Sequence, residues 1–290
     1  KHMPFLDDKL YRSNQDNVKI MKRQNLADHI LARLEQEQDS IMEAYSKSKD
    51  SIGHFMIDNL FPEEIAKSIY KSFPKLKSMK KRKDLREFKY VAAQMNQYDP
   101  ILEETVYAFQ DERIVSFIQG VCGLDSLYPD EHLYAGGISS MRQNNFLNPH
   151  IDNSHDKDRN KWRVLNLLYY VTPNWELDFG GNLEIWPKGV KNEQTTIHSK
   201  FNRLVVIATH DASWHSVSPV THVGSRCCVS NYYFSDSPLK SHEQFHVTSF
   251  RGRPNQIIRD LYLRFDATLR MGVRMLFSKG IVKTDHLYKK

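Results

Sequence analysis

The feature that most constrains this chain is a run of short apolar segments between residues 133 and 234. Segments near 133–142, 163–171, 182–187, 203–209 and 226–234 are rich in Val, Ile, Leu, Tyr and Phe, and clusters of Pro, Gly, Asn and Asp separate them. That alternation reads as strands and turns. Helical spacing lies on both sides. Leu26, Ile30, Leu31, Leu34, Ile41 and Met42 share a helical period near the N-terminus, and residues 101–121 form a second such stretch closing on Gly123. After Arg253-Pro254, residues 255–278 return to that spacing, with Gly280 as the expected stop. Helices around a block of short strands predict an α+β fold with an antiparallel sandwich or barrel at its centre.

Smaller signals fill the interval before residue 133. His54 to Asp58 reads as a short strand, and Pro62-Glu63-Glu64 as the first turn of a helix reaching about Phe73. The basic run from Lys75 to Lys89 is expected to be an exposed loop with some helix, a solvated face rather than a binding surface. These boundaries divide the chain into an N-terminal helical extension (4–50), a central domain (51–250, core 133–236) and a basic C-terminal helical extension (251–290). With 290 residues, 40% hydrophobic and 26% charged, the chain has material for one large core.

Composition narrows the function classes. Three cysteines, two of them adjacent as Cys227 and Cys228, make no disulfide framework and favour a reducing compartment. No stretch approaches the length of a membrane-spanning helix, and the N-terminus has no secretory apolar region. A cytoplasmic location is expected, with attachment to the inner face of a membrane as the other option. A net charge of +6 is mild, and no recognition motif for nucleic acid accompanies it.

One constellation carries chemistry. His150 and Asp152 stand two residues apart, and alternate residues of a strand face one side, so both can address a single ion. His215, between the segment ending at Ala208 and the one opening at Arg226, is the best third donor; His210, just before it, is the nearest competitor. Two imidazoles and one carboxylate on one face of an octahedral ion leave three positions open, as non-haem iron(II) oxygen chemistry requires. Arg226 could set its guanidinium fork deep in the barrel against a dicarboxylate.

From His150 to Phe234 the chain resembles the core of the prolyl hydroxylases of the iron(II)/2-oxoglutarate dioxygenase superfamily, especially the hypoxia-inducible-factor prolyl hydroxylase type. The resemblance runs through His150-Ile151-Asp152-Asn153, Arg163 to Tyr170 with Val171-Thr172-Pro173-Asn174-Trp175, and Gly180-Gly181-Asn182-Leu183-Glu184-Ile185. It continues through Phe201-Asn202-Arg203-Leu204 and Trp214-His215-Ser216-Val217-Ser218-Pro219 to Arg226 and Tyr232-Tyr233-Phe234. It implies a double-stranded β-helix, or jelly-roll, with Fe(II) on the triad. It implies 2-oxoglutarate held by Arg226 and Tyr170, O2 as oxidant and ascorbate as a supporting reductant. The implied reaction is decarboxylation of 2-oxoglutarate to succinate coupled to hydroxylation of an unactivated carbon. Asp152 favours hydroxylation over halogenation, which in this superfamily goes with Gly or Ala at that place. The interval from His215 to Arg226 is longer than in the hydroxylases it resembles, implying an enlarged turn at 221–225. The family's upstream tyrosine has no match near Ser139 and Ser140; Arg142 either replaces it or meets the substrate. Asn153, at the start of the rim 154–159, is the other substrate candidate.

The substrate is left open by these residues. The leading expectation is a small-molecule or glycan substrate, including a lipid-linked sugar such as Kdo. A protein prolyl hydroxylase is the second reading, and a jelly-roll sensor that holds metal without turnover is a third of another class. The C-terminal helix sets Arg259, Arg264, Arg270 and Arg274 among Ile257, Ile258, Leu261, Phe265, Leu269 and Leu276. Its ordinary reading is packing on its own domain with arginines toward water; a peripheral membrane contact and a dimer contact are the alternatives.

Overall fold

The computed structural model describes residues 21–277 and 286–289. Residues 4–20 of the expected N-terminal extension, and Gly280 as the expected helix stop, lie outside the described residues. Thirteen strands form a continuous curled sheet: β1 (His54–Ile57), β2 (Lys80–Lys83), β3 (Glu87–Ala92), β4 (Tyr128–Pro129), β5 (Gly137–Arg142), β6 (Phe146–Ile151), β7 (Trp162–Tyr170), β8 (Leu183–Ile185), β9 (Thr195–Ile197), β10 (Arg203–Ala208), β11 (His215–Val217), β12 (Ser225–Ser235) and β13 (Ser249–Phe250). The order β1-β10-β7-β12-β5-β3-β6-β11-β8-β9 is antiparallel throughout, with β2 on β3, β4 on β12 and β13 on β6.

One strand joins the two faces of this jelly-roll. The end of β3 pairs with β5 (Tyr90 opposite Ser140), while its beginning pairs with β6 (Glu87 opposite Leu147). The sheet therefore curls at β3, and the long strands β7 and β12 come to face the short strands β6, β11 and β8. This is the double-stranded β-helix that the resemblance implied. The five expected strand segments overlap β5, β7, β8, β10 and β12, with β5 starting only at Gly137 rather than near 133.

The basic run departs from expectation. After a single 3-10 turn at Leu76–Ser78, it folds into the β2/β3 hairpin, with Lys80 opposite Val91 and Lys83 opposite Phe88. The side chains of β2 remain mostly exposed, so its composition reads as loop. Burial of Tyr90, Val91 and Ala92 on β3 holds the pair in place.

Among the described residues six helices pack around the sheet: α1 (Arg23–Gln36), α2 (Gln38–Ser48), α3 (Glu63–Lys71), α4 (Pro100–Ala108), α5 (Glu112–Cys122) and α6 (Ile257–Leu276). Leu26, Ile30, Leu34 and Ile41 are buried in the same apolar cluster as Tyr169 and Val229, so α1 and α2 share the core of β7 and β12. Met42, expected on that apolar face, is exposed. The expected single helix over 101–121 is two. Asp111 accepts from the Arg113 backbone N–H and starts α5, as Asp99 does for α4 through Ile101 N–H. Gly123, at φ +64°, closes α5 as expected.

The C-terminal helix inverts its expected orientation. Leu263 is its one fully buried residue, Arg259, Arg270 and Arg274 are half-buried on the side facing the domain, and the apolar residues point to solvent. No helix among the described residues is long and apolar enough to cross a membrane.

Candidate active site

β6 delivers His150, the residue directly after its end is Asp152, and β11 opens on His215 directly opposite His150. The register makes the meeting of the three side chains a consequence of antiparallel pairing plus the two-residue step. His150 Nε2 lies 3.7 Å from Asp152 Oδ1, and His215 Nε2 lies 3.6 Å from Asp152 Oδ2. One ligand atom from each residue falls within 4.8 Å of the others.

Three observations bear on whether a metal fits. His150 Nδ1 contacts the Asn148 carbonyl at 3.0 Å and His215 Nδ1 the Ser213 carbonyl at 2.9 Å. A carbonyl only accepts, so both Nδ1 atoms carry the proton and both Nε2 lone pairs face the common point. Burial, reinforced by the neighbouring His215, pushes His150 down to about 3, so this imidazole is neutral at ordinary pH. Asp152 Oδ2 is buried and accepts no hydrogen bond. A buried carboxylate oxygen without a donor is costly unless a cation meets it. The donor set fits iron(II).

Behind the triad, Arg226 on β12 is buried beside Tyr170 at the end of β7, its guanidinium 5.2 Å from the tyrosine ring. Arg226 Nη2 donates to the Met141 sulfur at 3.0 Å across the β5/β12 register, and Arg226 Nε is buried with no acceptor. No ion pair is formed by Arg226 among the described residues. A buried guanidinium in that state calls for an anion. Burial pushes the Tyr170 hydroxyl upward, so it stays protonated and able to donate. Gly181, at φ +68°, makes room here: a Cβ would lie 3.2 Å from Arg226 Cδ and 3.1 Å from Val220 Cγ2. The triad, Tyr170 and Arg226 all line one cavity of about 130 Å³.

The other expected site residues fall elsewhere. Arg142 is exposed and lies over the Tyr90 ring, because the alternation of β5 turns Met141 inward and its neighbour outward. Asn153 lies just outside the cavity wall and donates to the Tyr134 hydroxyl at 3.2 Å and to the His155 carbonyl at 3.1 Å. His210 is occupied at both ring nitrogens, by the Ser51 carbonyl and the Ala212 N–H, which removes it as a competing ligand. His155, on the rim 154–159, is buried and stacked on Phe245. The turn between β11 and β12 runs from Ser218 to Gly224 and carries the exposed Val223 and Gly224 at φ +155°.

Three residues escaped the sequence reading. Arg163, at the start of β7, is buried with Nη1 3.5 Å from Asp152 Oδ1 and its guanidinium 4.6 Å from the Tyr232 ring. Burial opposes ionisation of Asp152, yet the Arg163 charge, with His215 and His150, leaves that carboxyl below its usual range. Lys89 on β3 and His286 near the C-terminus both line the cavity. Lys89 pairs with Glu87 at 2.8 Å, and His286 Nε2 meets the Gly136 carbonyl at 3.0 Å. Beside the triad, Arg253 donates to Glu184 at 2.7 Å, and Glu184 accepts from Ser216 at 2.6 Å, fixing the strand that presents His215.

A jelly-roll with two imidazoles and a carboxylate at a common point, backed by an uncompensated buried guanidinium, defines a non-haem iron oxygenase site. Residues 136–234 match the family described as the 2OG-Fe(II) oxygenase superfamily. That segment, about a third of the chain, holds the triad, Tyr170 and Arg226, and the match together with the triad supports a 2-oxoglutarate-dependent dioxygenase that uses Fe(II) and 2-oxoglutarate. Two solved structures share the fold. One is a prolyl hydroxylase from Trichoplax adhaerens in complex with a hypoxia-inducible-factor oxygen degradation domain peptide fragment, with TM-score 0.50 and 17% identity over 69% of this chain and 92% of that one. The other is a Pseudomonas putida prolyl-4-hydroxylase, with TM-score 0.50 and 11% identity over 67% of this chain and 98% of that one. No curated protein matches the chain in sequence.

Proposed function

We propose that this dioxygenase hydroxylates an unactivated C–H bond of a free small-molecule or glycan substrate. In this reading His150, Asp152 and His215 hold the iron, and Arg226 with Tyr170 holds the far carboxylate of 2-oxoglutarate. When bound, iron(II), 2-oxoglutarate and O2 would supply an oxidative decarboxylation giving succinate and carbon dioxide, with one oxygen atom of O2 entering succinate and the other the hydroxylated carbon. The observation that carries the residue roles is a pair of unpartnered polar atoms on charged groups of one cavity: Asp152 Oδ2 without a donor and Arg226 Nε without an acceptor. One calls for a cation and the other for an anion.

The chain's own groups act by placement. The backbone carbonyls of Asn148 and Ser213 fix the ring tautomers, and Arg163 keeps Asp152 ionised. Tyr170 and Arg226 set the diacid's orientation in a site walled by Leu168, Leu183 and Val217, which exclude water. Lys89 and His286 offer a cation and an imidazole to a polar part of the substrate. A lipid-linked substrate has less support, since it draws on arginines of α6 that are turned toward the domain.

The peptide named for the Trichoplax relative gives the second reading, a peptidyl-proline substrate. Both readings meet one experiment. Purified protein with iron(II), 2-oxoglutarate and ascorbate is incubated with monosaccharides, amino acids and prolyl peptides, and succinate, oxygen uptake and product mass are followed. A one-oxygen mass gain on a sugar or free small molecule, matched by succinate, is the expected result. A gain only on the peptides transfers the assignment to prolyl hydroxylation.

A further inference from the structure

Helix α6 presents its apolar side to solvent and its charged side to its own domain. Asp260 takes Arg251 at 2.6 Å, and Asp266 takes Arg86 at 2.7 Å and Arg270 at 2.9 Å. Arg259 lies over the Phe146 ring, and Leu263 is buried beneath the helix. Arg264 is the one exposed charge on α6. On the outer side Ile257, Ile258, Leu261, Tyr262, Phe265, Leu269, Met275 and Leu276 are between 54% and 87% exposed. Side chains of that size and exposure offer on the order of 1,000 Å² of apolar surface, beyond the ~300–600 Å² patch of an ordinary monomer and above the ~800 Å² each partner gives to a standard interface.

The outer face also has a period of its own. Ile258, Tyr262, Phe265, Leu269, Gly272 and Leu276 advance by alternating steps of four and three, the spacing of a two-helix seam. Reversed on itself about the level of Ala267, the seam is self-complementary. Phe265 meets Leu269, Ile258 meets Leu276, and Tyr262 falls opposite the gap left by Gly272. A parallel pairing would stack tyrosine on tyrosine and leave glycine facing glycine. We propose that α6 is the contact between two copies of this chain, packed antiparallel across a two-fold axis. An anionic membrane surface is the poorer match, because the arginines that would meet headgroups are paired or packed inward and only Arg264 flanks the apolar face.

Sedimentation velocity over a wide concentration range tests this. The wild-type chain is expected to sediment as a dimer that dissociates on dilution. Phe265→Glu and Leu269→Glu, at side chains already exposed in the single chain, should abolish the dimer while circular dichroism and succinate formation are retained. Gly272→Phe should abolish it too, and Tyr262→Ala added to that variant should restore it, which only the antiparallel register allows. A wild-type chain that is monomeric throughout overturns the proposal. So does flotation of that monomer with phosphatidylcholine–phosphatidylserine vesicles, lost in Phe265→Glu, which would give the face to lipid.

Discussion

Arg163 reaches to within 3.5 Å of Asp152, so the carboxylate of the triad is shared between a guanidinium on one side and the metal position on the other. The burial of Asp152 works against its charge, and Arg163 is the largest influence restoring it. In Arg163→Gln the carboxyl of the metal-free site should titrate higher than in the wild type, so a proton competes with the metal up to higher pH. The acid edge of Mn(II) binding is expected to move to higher pH in this variant, and an unmoved edge would show that Arg163 has no hold on the ligand.

Arg226 and Gly181 form a second testable pair. Arg226→Ala would leave the diacid's carboxylate buried without its cation, at about 3–5 kcal/mol, or roughly a hundredfold to a few thousandfold in the 2-oxoglutarate requirement. Gly181→Ala acts on the same residue indirectly. Its Cβ would crowd Arg226 Cδ at 3.2 Å from a backbone at φ +68°, so a smaller rise is expected, with metal affinity unchanged. Steady-state kinetics with 2-oxoglutarate varied, beside metal titrations, separate the two effects.

The metal-free protein should lose stability on mild acidification. Burial pushes His150 down to about 3, and His155 and His286 to about 4, from an ordinary value of 6.5. The unfolded chain therefore takes up these protons first. Stability is complete above about pH 6.5 and falls as pH drops from there toward 4, by at most about 1.4 kcal/mol per pH unit for each imidazole. Urea midpoints measured from about pH 7 to about pH 4 test the slope, which His155→Gln should make shallower.

The N-terminal helices should be inseparable from the oxygenase core. Ile30 is fully buried among residues that also contact β7 and β12. Ile30→Ala is expected to cost about 2–5 kcal/mol and to lower the melting temperature of the whole molecule in one transition. A change below about 0.5 kcal/mol would mean that α1 is a dispensable appendage.

How much of this was legible in the sequence depended on distance along the chain. His150 and Asp152 are two residues apart at the end of one strand, and His215 and Arg226 stand at the starts of β11 and β12, so strand alternation and order sufficed to group them. Arg163 was visible only as part of a strand; nothing local says that its side chain crosses to Asp152. Lys89 was hidden in a run whose other cations are solvated, because the insertion of β3 between β5 and β6 is set by pairing with residues some 50 positions away. His286 reaches the cavity from the far end of the chain. Arg142 stands off the cavity because Met141, opposite Arg226, faces inward and strand alternation turns its neighbour outward. For α6 the apolar period was readable, but a period fixes that a face exists and leaves open which way it turns.

The site depends on one convergence of side chains, and a crystal structure with Mn(II) and 2-oxoglutarate measures it directly. The expected result is one ion bonded to His150 Nε2, His215 Nε2 and an Asp152 carboxylate oxygen, with the diacid's far carboxylate on the Arg226 guanidinium. An ion bound away from these three side chains, or a diacid held by Lys89 with Arg226 left unpaired, would contradict it.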